Sequence, residues 1–106
     1  MNTQRIEFDN GCFLDYRPAS GGTWEIYDVH VPNECRRQGY GKRMIELLFK
    51  RVGSGKRVYA ITRASNEVAQ QFYESLRFEV VGVLRRFYGG EGADAVMFGR
   101  GSEGPV

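Results

Sequence analysis

Residues 24–52 run in an order that points to one local architecture. An apolar stretch from Trp24 to Val31 is followed by Arg36-Arg37-Gln38-Gly39-Tyr40-Gly41-Lys42, and then by an amphipathic helical pattern ending near Val52. A strand that empties into a basic, glycine-containing loop opening a helix aims unpaired backbone N–H groups, and the positive end of the helix dipole, at one point. An anion such as a pyrophosphate fits there. Gly39 and Gly41 let it approach the backbone closely, and Arg36, Arg37, Lys42 and Arg43 concentrate positive charge where helix starts ordinarily favour acids.

Two other glycine-containing nucleotide motifs can be tested and both fail. A dinucleotide fingerprint needs Gly-x-Gly-x-x-Gly, but after Gly39-x-Gly41 the third glycine position holds Met44. Gly53-Ser54-Gly55-Lys56 mimics the tail of a P-loop, yet Lys50 stands where the leading glycine belongs and Arg57 replaces the magnesium-holding Ser or Thr. That segment also follows a helix and precedes a strand, the wrong order.

The remaining pattern supplies the rest of a small domain. Ile6 to Phe8 and Cys12 to Tyr16 flank Asp9-Asn10-Gly11, and Asn-Gly is a strong hairpin signal. Trp24 to Val31 reads as a strand stopped by Pro32. From Gln38 to Val52, Gly41, Met44, Ile45, Leu48 and Val52 form one stripe, so that helix lays one face on a sheet. Gly53-Ser54-Gly55 stops it, and Arg57 to Thr62 reads as a strand parallel to the earlier one, since a crossover helix joins them. Ser65 or Asn66 caps a second helix with an inner face of Val68, Ala69, Phe72 and Leu76. Phe78 to Phe87 and Asp94 to Phe98 pair antiparallel around Gly89-Gly90-Glu91-Gly92, and Gly101 to Val106 is expected to be a flexible tail. The expected order is β-β-β-α-β-α-β-β in a single domain over residues 1–100.

Composition narrows the partners. The 106 residues hold 15 basic and 13 acidic side chains, and the resulting +2 is too small to argue for nucleic acid, so a module built on Arg85, Arg86, Phe87 and Tyr88 is disfavoured. No apolar run approaches membrane-spanning length and the N-terminus has no leader-like pattern, so the expected home is the cytoplasm, without membrane association. Cys12 and Cys35 lack Cys-x-x-Cys spacing and His30 is the single histidine; no metal site is expected, and the thiols are expected to be free.

Arg-x-x-Gly-x-Gly at residues 36–41 resembles the signature that opens the central helix of the GCN5-related N-acetyltransferase (GNAT) superfamily. Arg63-Ala64-Ser65-Asn66, Ala69, Phe72-Tyr73-Glu74 and Leu76-x-Phe78 resemble the second cofactor-binding segment of that superfamily, in the flavour of its ribosomal-protein N-terminal acetyltransferases. The two segments together cover residues 24–98. The resemblance implies an α/β (α+β) fold with a mixed, mostly antiparallel sheet, a central splayed parallel pair and two helices. The N-terminal helices that cover the acceptor site in relatives have no counterpart here, so the acceptor groove is expected either to be open or to be walled by another subunit, as in a homodimer.

It also implies acetyl-CoA as cofactor and transfer of its acetyl group to a primary amine: a peptide N-terminus, a lysine or a small amine. Main-chain groups of Val29, His30 and Val31 would pair with the pantetheine arm, and an N–H at or beside Val31 would stabilise the oxyanion. Arg36, Arg37, Gln38, Gly39, Tyr40, Gly41 and Lys42 would hold the diphosphate. Asn66 would hydrogen-bond the pantetheine, although an N-cap role explains it as well. Tyr73 would protonate the departing thiolate, with core packing beside Phe72 as the competing reading.

The glutamate base of the N-terminal acetyltransferases falls on Ile61 here and is missing. Glu25 lies at the offset used by histone-type members, and strand alternation puts it on one face with Tyr27, Val29 and Val31. It is either a base acting through water or an exposed strand carboxylate. Arg77 stands where relatives favour glycine; a left-handed backbone there would cost roughly 1 to 2 kcal/mol. The competing function is a non-catalytic acyl-CoA-binding module or subunit.

Overall fold

The computed structural model describes residues 2–101. Its elements follow the expected order: β1 (Gln4–Glu7), β2 (Phe13–Pro18), β3 (Trp24–His30), α1 (Tyr40–Val52), β4 (Arg57–Arg63), α2 (Glu67–Ser75), β5 (Glu79–Leu84) and β6 (Ala95–Gly101). Short 3-10 turns occupy Ser20–Gly22 and Asn33–Cys35. The architecture is α/β, with a mixed, mostly antiparallel sheet of six strands and two α-helices. Of the described residues, 2–58 with Gly101 form one compact unit and 59–100 a second. The outer five residues of the expected tail, 102–106, lie outside the described residues, while Gly101 closes β6 rather than beginning a tail.

In the first unit β1, β2 and β3 form an antiparallel meander, with the start of β4 next to β3 and parallel to it across α1. The β1–β2 turn is built as its Asn-Gly predicts: Gly11 has φ +90°, Phe8 N–H donates to the Cys12 carbonyl at 2.9 Å, and Asn10 Oδ1 accepts from Cys12 N–H at 3.0 Å. Ile6, Leu14, Tyr16 and Ile26 are buried on one face of the meander. Met44, Ile45, Leu48 and Val52, the buried stripe of α1, complete that core. Arg51 Nη1 ties the end of α1 to the strands by donating to the Arg5 carbonyl at 3.3 Å and to the Tyr16 hydroxyl oxygen at 3.4 Å.

A register shift corrects the expected alternation of β3. Asp15 pairs with Asp28 but Tyr16 pairs with Ile26, so Tyr27 is an extra residue and β3 is bulged. Beyond the bulge the faces exchange. Val29 pairs with the buried Leu14, and Glu25 shares its face with Asp28 and His30 instead of Val29 and Val31.

In the second unit β6 lies between β4 and β5, antiparallel to β5. The core consists of Ala60 and Thr62 from β4, Tyr73 from α2, Phe78, and Ala93, Ala95, Val96 and Phe98. The expected inner face of α2 is not the observed one: Val68 is 71% exposed, Phe72 and Leu76 are half-buried, and Tyr73 is the buried residue of the helix. With 9 residues the helix makes only two and a half turns, too few for spacing to settle its rotation. Phe78 and Phe98 settle it, with ring centroids 5.3 and 5.6 Å from that of Tyr73. Arg77, just past the helix, has φ +68°, so the left-handed C-terminal position is real and an arginine bears its strain.

Candidate functional site

The loop between β3 and α1 is assembled within the first unit from a chain of local hydrogen bonds. The antiparallel ladder ends where Phe13 pairs with His30, and the chain turns at Pro32 into Asn33–Cys35. Cys35 N–H donates to the Pro32 carbonyl at 2.8 Å and Arg36 N–H to the Asn33 carbonyl at 3.3 Å. Two side chains brace the turn from outside: Arg36 Nε donates to the Val31 carbonyl at 3.0 Å, and Gln38 Nε2 to the Glu34 carbonyl at 2.9 Å. Arg36 and Gln38 therefore shape the loop with their side chains, a role that motif spacing did not reveal.

Arg37 has φ +63° and Gly39 φ +82°, so two left-handed residues point the loop into the helix. Gly39 is the N-cap of α1; no side chain caps this end and the first turn holds no acid. A Cβ built on Gly39 meets nothing within 4 Å. Glycine serves the backbone angle, and the space before the helix is open. Arg36, Arg37, Lys42 and Arg43 are exposed around it. Main-chain N–H groups at the helix start, unfilled space and positive charge are the features that favour an anion at such a loop.

The other first-unit candidates divide. Val29 and Val31 are half-buried at and beyond the end of β3, with the Val31 carbonyl engaged by Arg36. His30 is exposed, its ring 5.5 Å from that of Phe13. Glu25 is held by a residue that sequence reasoning passed over: Arg17 Nε donates to its carboxylate at 2.8 Å, and the same guanidinium lies 4.4 Å from the centre of the Tyr27 ring. Arg17 and Glu25 are cross-strand partners, next to the Pro18–Trp24 pair at the start of the β2–β3 ladder.

Asn66 and Tyr73 belong to the second unit. Asn66 is the N-cap of α2, with its Oδ1 accepting from Ala69 N–H at 3.1 Å. Tyr73 is 7% exposed and sits among Phe72, Phe78 and Phe98, stacked on the last. That aromatic cluster fixes the ring, as the packing reading expects. Ile61, at the position of the missing base, is half-buried on β4. Among the described residues no cluster of His, Cys, Asp and Glu has the makings of a metal site, and no helix is long and apolar enough to cross a membrane.

Residues 8–78 match the acetyltransferase (GNAT) family across the loop, both helices and the strands between them. The chain belongs to the GNAT family. The chain is similar to an uncharacterised protein of Mycobacterium leprae, 35% identical over 77 residues, and to the N-alpha-acetyltransferase RimI of Mycobacterium tuberculosis, 33% identical over 82 residues. The matches cover 73% and 77% of this chain but 21% and 51% of those proteins, so the chain spans about a fifth and about half of their lengths.

Solved acetyltransferase structures share the fold. The ribosomal-protein-S18-alanine N-acetyltransferase from Escherichia coli superposes with a TM-score of 0.73 at 22% identity, over 98% of this chain and 72% of that one. An acetyltransferase of Bacillus subtilis in complex with CoA gives 0.70 at 17%, over 91% and 72%. The GNAT loop of this chain suits the diphosphate of coenzyme A: Gly39 presents no side chain, α1 has no cap of its own, and four exposed cations surround its start.

Proposed function

We propose that this chain is an acetyl-CoA-dependent N-acetyltransferase, transferring an acetyl group to a primary amine by direct attack within a ternary complex. The observation that carries the reading is the start of α1, a helix N-terminus with no side-chain cap and no first-turn acid in a chain of the GNAT family. Acetyl-CoA supplies an activated acyl group as a thioester. The residues here have to hold its diphosphate, position its acyl end and manage protons.

Backbone N–H groups from Gln38 to Lys42 hold the diphosphate, helped by the charges of Arg36, Arg37 and Lys42. Main-chain groups of Val29 and His30, the last residues of β3 paired with β2, and of Val31 just beyond them bind the pantetheine arm, and an N–H at or beside Val31 stabilises negative charge developing on the carbonyl oxygen. Asn66 adds a hydrogen bond to the same arm. Tyr73, its ring immobilised by three aromatic neighbours, donates a proton to the departing thiolate. Glu25 takes the proton of the acceptor amine through water, with Arg17 orienting its carboxylate. The acceptor class is a peptide α-amine, a lysine or a small amine, the first being supported by the name of the M. tuberculosis relative.

Tyr73→Phe keeps the aromatic packing and removes only the hydroxyl. Acetyl-CoA should raise the melting temperature of this variant as it does that of the unaltered protein, while kcat falls by about a hundredfold. A variant with full turnover would remove Tyr73 from the chemistry, and a chain that acetyl-CoA does not stabilise at all would overturn the function itself.

A further inference from the structure

Two cysteines far apart in sequence meet at the foot of the α1 loop. Cys12 immediately precedes β2, whose first residue, Phe13, pairs with His30 at the end of β3. Gly11, one residue earlier, lies against Pro32, with the position of a Cβ 3.5 Å from Pro32 Cγ. From Pro32 the chain makes the 3-10 turn that returns Cys35 N–H to the Pro32 carbonyl, which holds Cys35 close to the residue that Gly11 faces. Cys35 is a neighbour of the Cys12 thiol and acts on its titration. Cys12 is fully buried on the same side of β2 as Leu14, whereas Cys35 is half-buried and open to solvent. The next residue is Arg36, the first of the loop.

We propose that Cys12 and Cys35 form a reversible dithiol modification site, which a small-molecule disulfide oxidises to an intramolecular bond tying the leading turn of the α1 loop to β2. The asymmetry of the pair orders the steps. Burial, then the neighbouring Cys35, raises the pKa of the Cys12 thiol and keeps it protonated, so the accessible Cys35 reacts first. Its thiolate attacks one sulfur of the small disulfide RSSR, forming a Cys35–S–S–R bond as the R–S–S–R bond breaks and one thiolate leaves. Cys12 then loses its proton and attacks the Cys35 sulfur, forming the Cys12–Cys35 bond and expelling the second small thiolate. The protein gives up two electrons and two protons, and RSSR becomes two RSH. Excess small thiol reverses both steps, which suits a thiol pair that is free at rest.

The test treats the reduced native chain with oxidised glutathione under anaerobic conditions, quenches with an alkylating agent and reads intact mass and linked peptides. The unaltered protein should lose both alkylatable thiols, become lighter by two hydrogens with peptides containing residues 12 and 35 joined, and recover on reduction. Cys12→Ala should stop at one glutathione on Cys35. Cys35→Ser should leave Cys12 unmodified. Melting curves of both variants establish that they fold. Amide hydrogen exchange over residues 33–41 should slow on oxidation of the unaltered protein and not of either variant. A stable glutathione adduct on Cys35 beside an alkylated Cys12, or bonds formed only between separate chains, would overturn the proposal.

Discussion

The two α-helices of this chain begin in opposite ways. At α2, Asn66 accepts a hydrogen bond from Ala69 N–H and Glu67 places a carboxylate in the first turn, so the exposed donors and the helix dipole are answered by the chain itself. At α1, Gly39 offers no side chain, the first turn holds Lys42 and Arg43, and no acid is present. One helix start is capped by its own chain, and the other is left without a side-chain cap or a first-turn acid. Helices of similar amphipathic character thus serve different ends, and the difference lies in three or four residues before the first turn. A helix with glycine at its cap instead of a capping side chain gives up only about a few tenths of a kcal/mol of stability, which a bound diphosphate can return.

The strongest way to break the contrast is to give α1 the acid that α2 has. Gly39→Asp meets no atom within 4 Å of its Cβ, and aspartate tolerates the left-handed angle better than most residues, so the chain should still fold. Its carboxylate would occupy the place of the diphosphate. Acetyl-CoA binding, read by calorimetry, should weaken at least about tenfold, which is roughly 1.4 kcal/mol. An unchanged affinity would mean that the α1 start does not hold the diphosphate.

A smaller effect is expected at the other helix. Asn66→Ala should lower stability by about 1 kcal/mol in chemical denaturation, since the cap to Ala69 N–H is lost. Asn66→Asp keeps the cap and should keep the stability. It separates the two proposed roles of this residue, because an affinity for acetyl-CoA that falls in Asn66→Asp at unchanged stability belongs to the amide group alone.

The smallest effect lies beneath the α1 loop. The Cys12 thiol titrates higher in the folded chain than in the unfolded one, chiefly because it is buried, so the fold holds its proton where the unfolded chain releases it. Its stabilising share is therefore whole below about pH 8.5, the ordinary thiol range, and is lost as pH rises through the folded value. Denaturation measured from pH 8 upward should show stability declining, and Cys12→Ala should flatten that decline. An identical slope in both proteins would locate the titrating group elsewhere.

How much of this was legible in the chain depends on distance along it. Asn10-Gly11, the stripe Met44-Ile45-Leu48-Val52, Asn66 before Glu67 and glycine-like behaviour at Arg77 all involve residues within a few positions of one another, and each took the expected form. The misreadings have distant partners. The face of Glu25 depended on a bulge at Tyr27 that strand pairing with Asp15 and Tyr16 reveals. The buried side of α2 was decided by Phe78 and Phe98, the latter on a strand that follows much later. Arg17 was invisible as the partner of Glu25 for the same reason.

The sequence alone determined the order of strands and helices, the basic glycine loop before α1 and the family to which those segments point. Periodicity, capping and turn chemistry are interactions between near neighbours, which a linear chain already contains. Only the tertiary structure decided which way β3 faces after its bulge, that Tyr73 is clasped by three aromatic rings, and that Cys12 and Cys35 are neighbours. Each of these is settled by packing between segments whose separation no local pattern encodes.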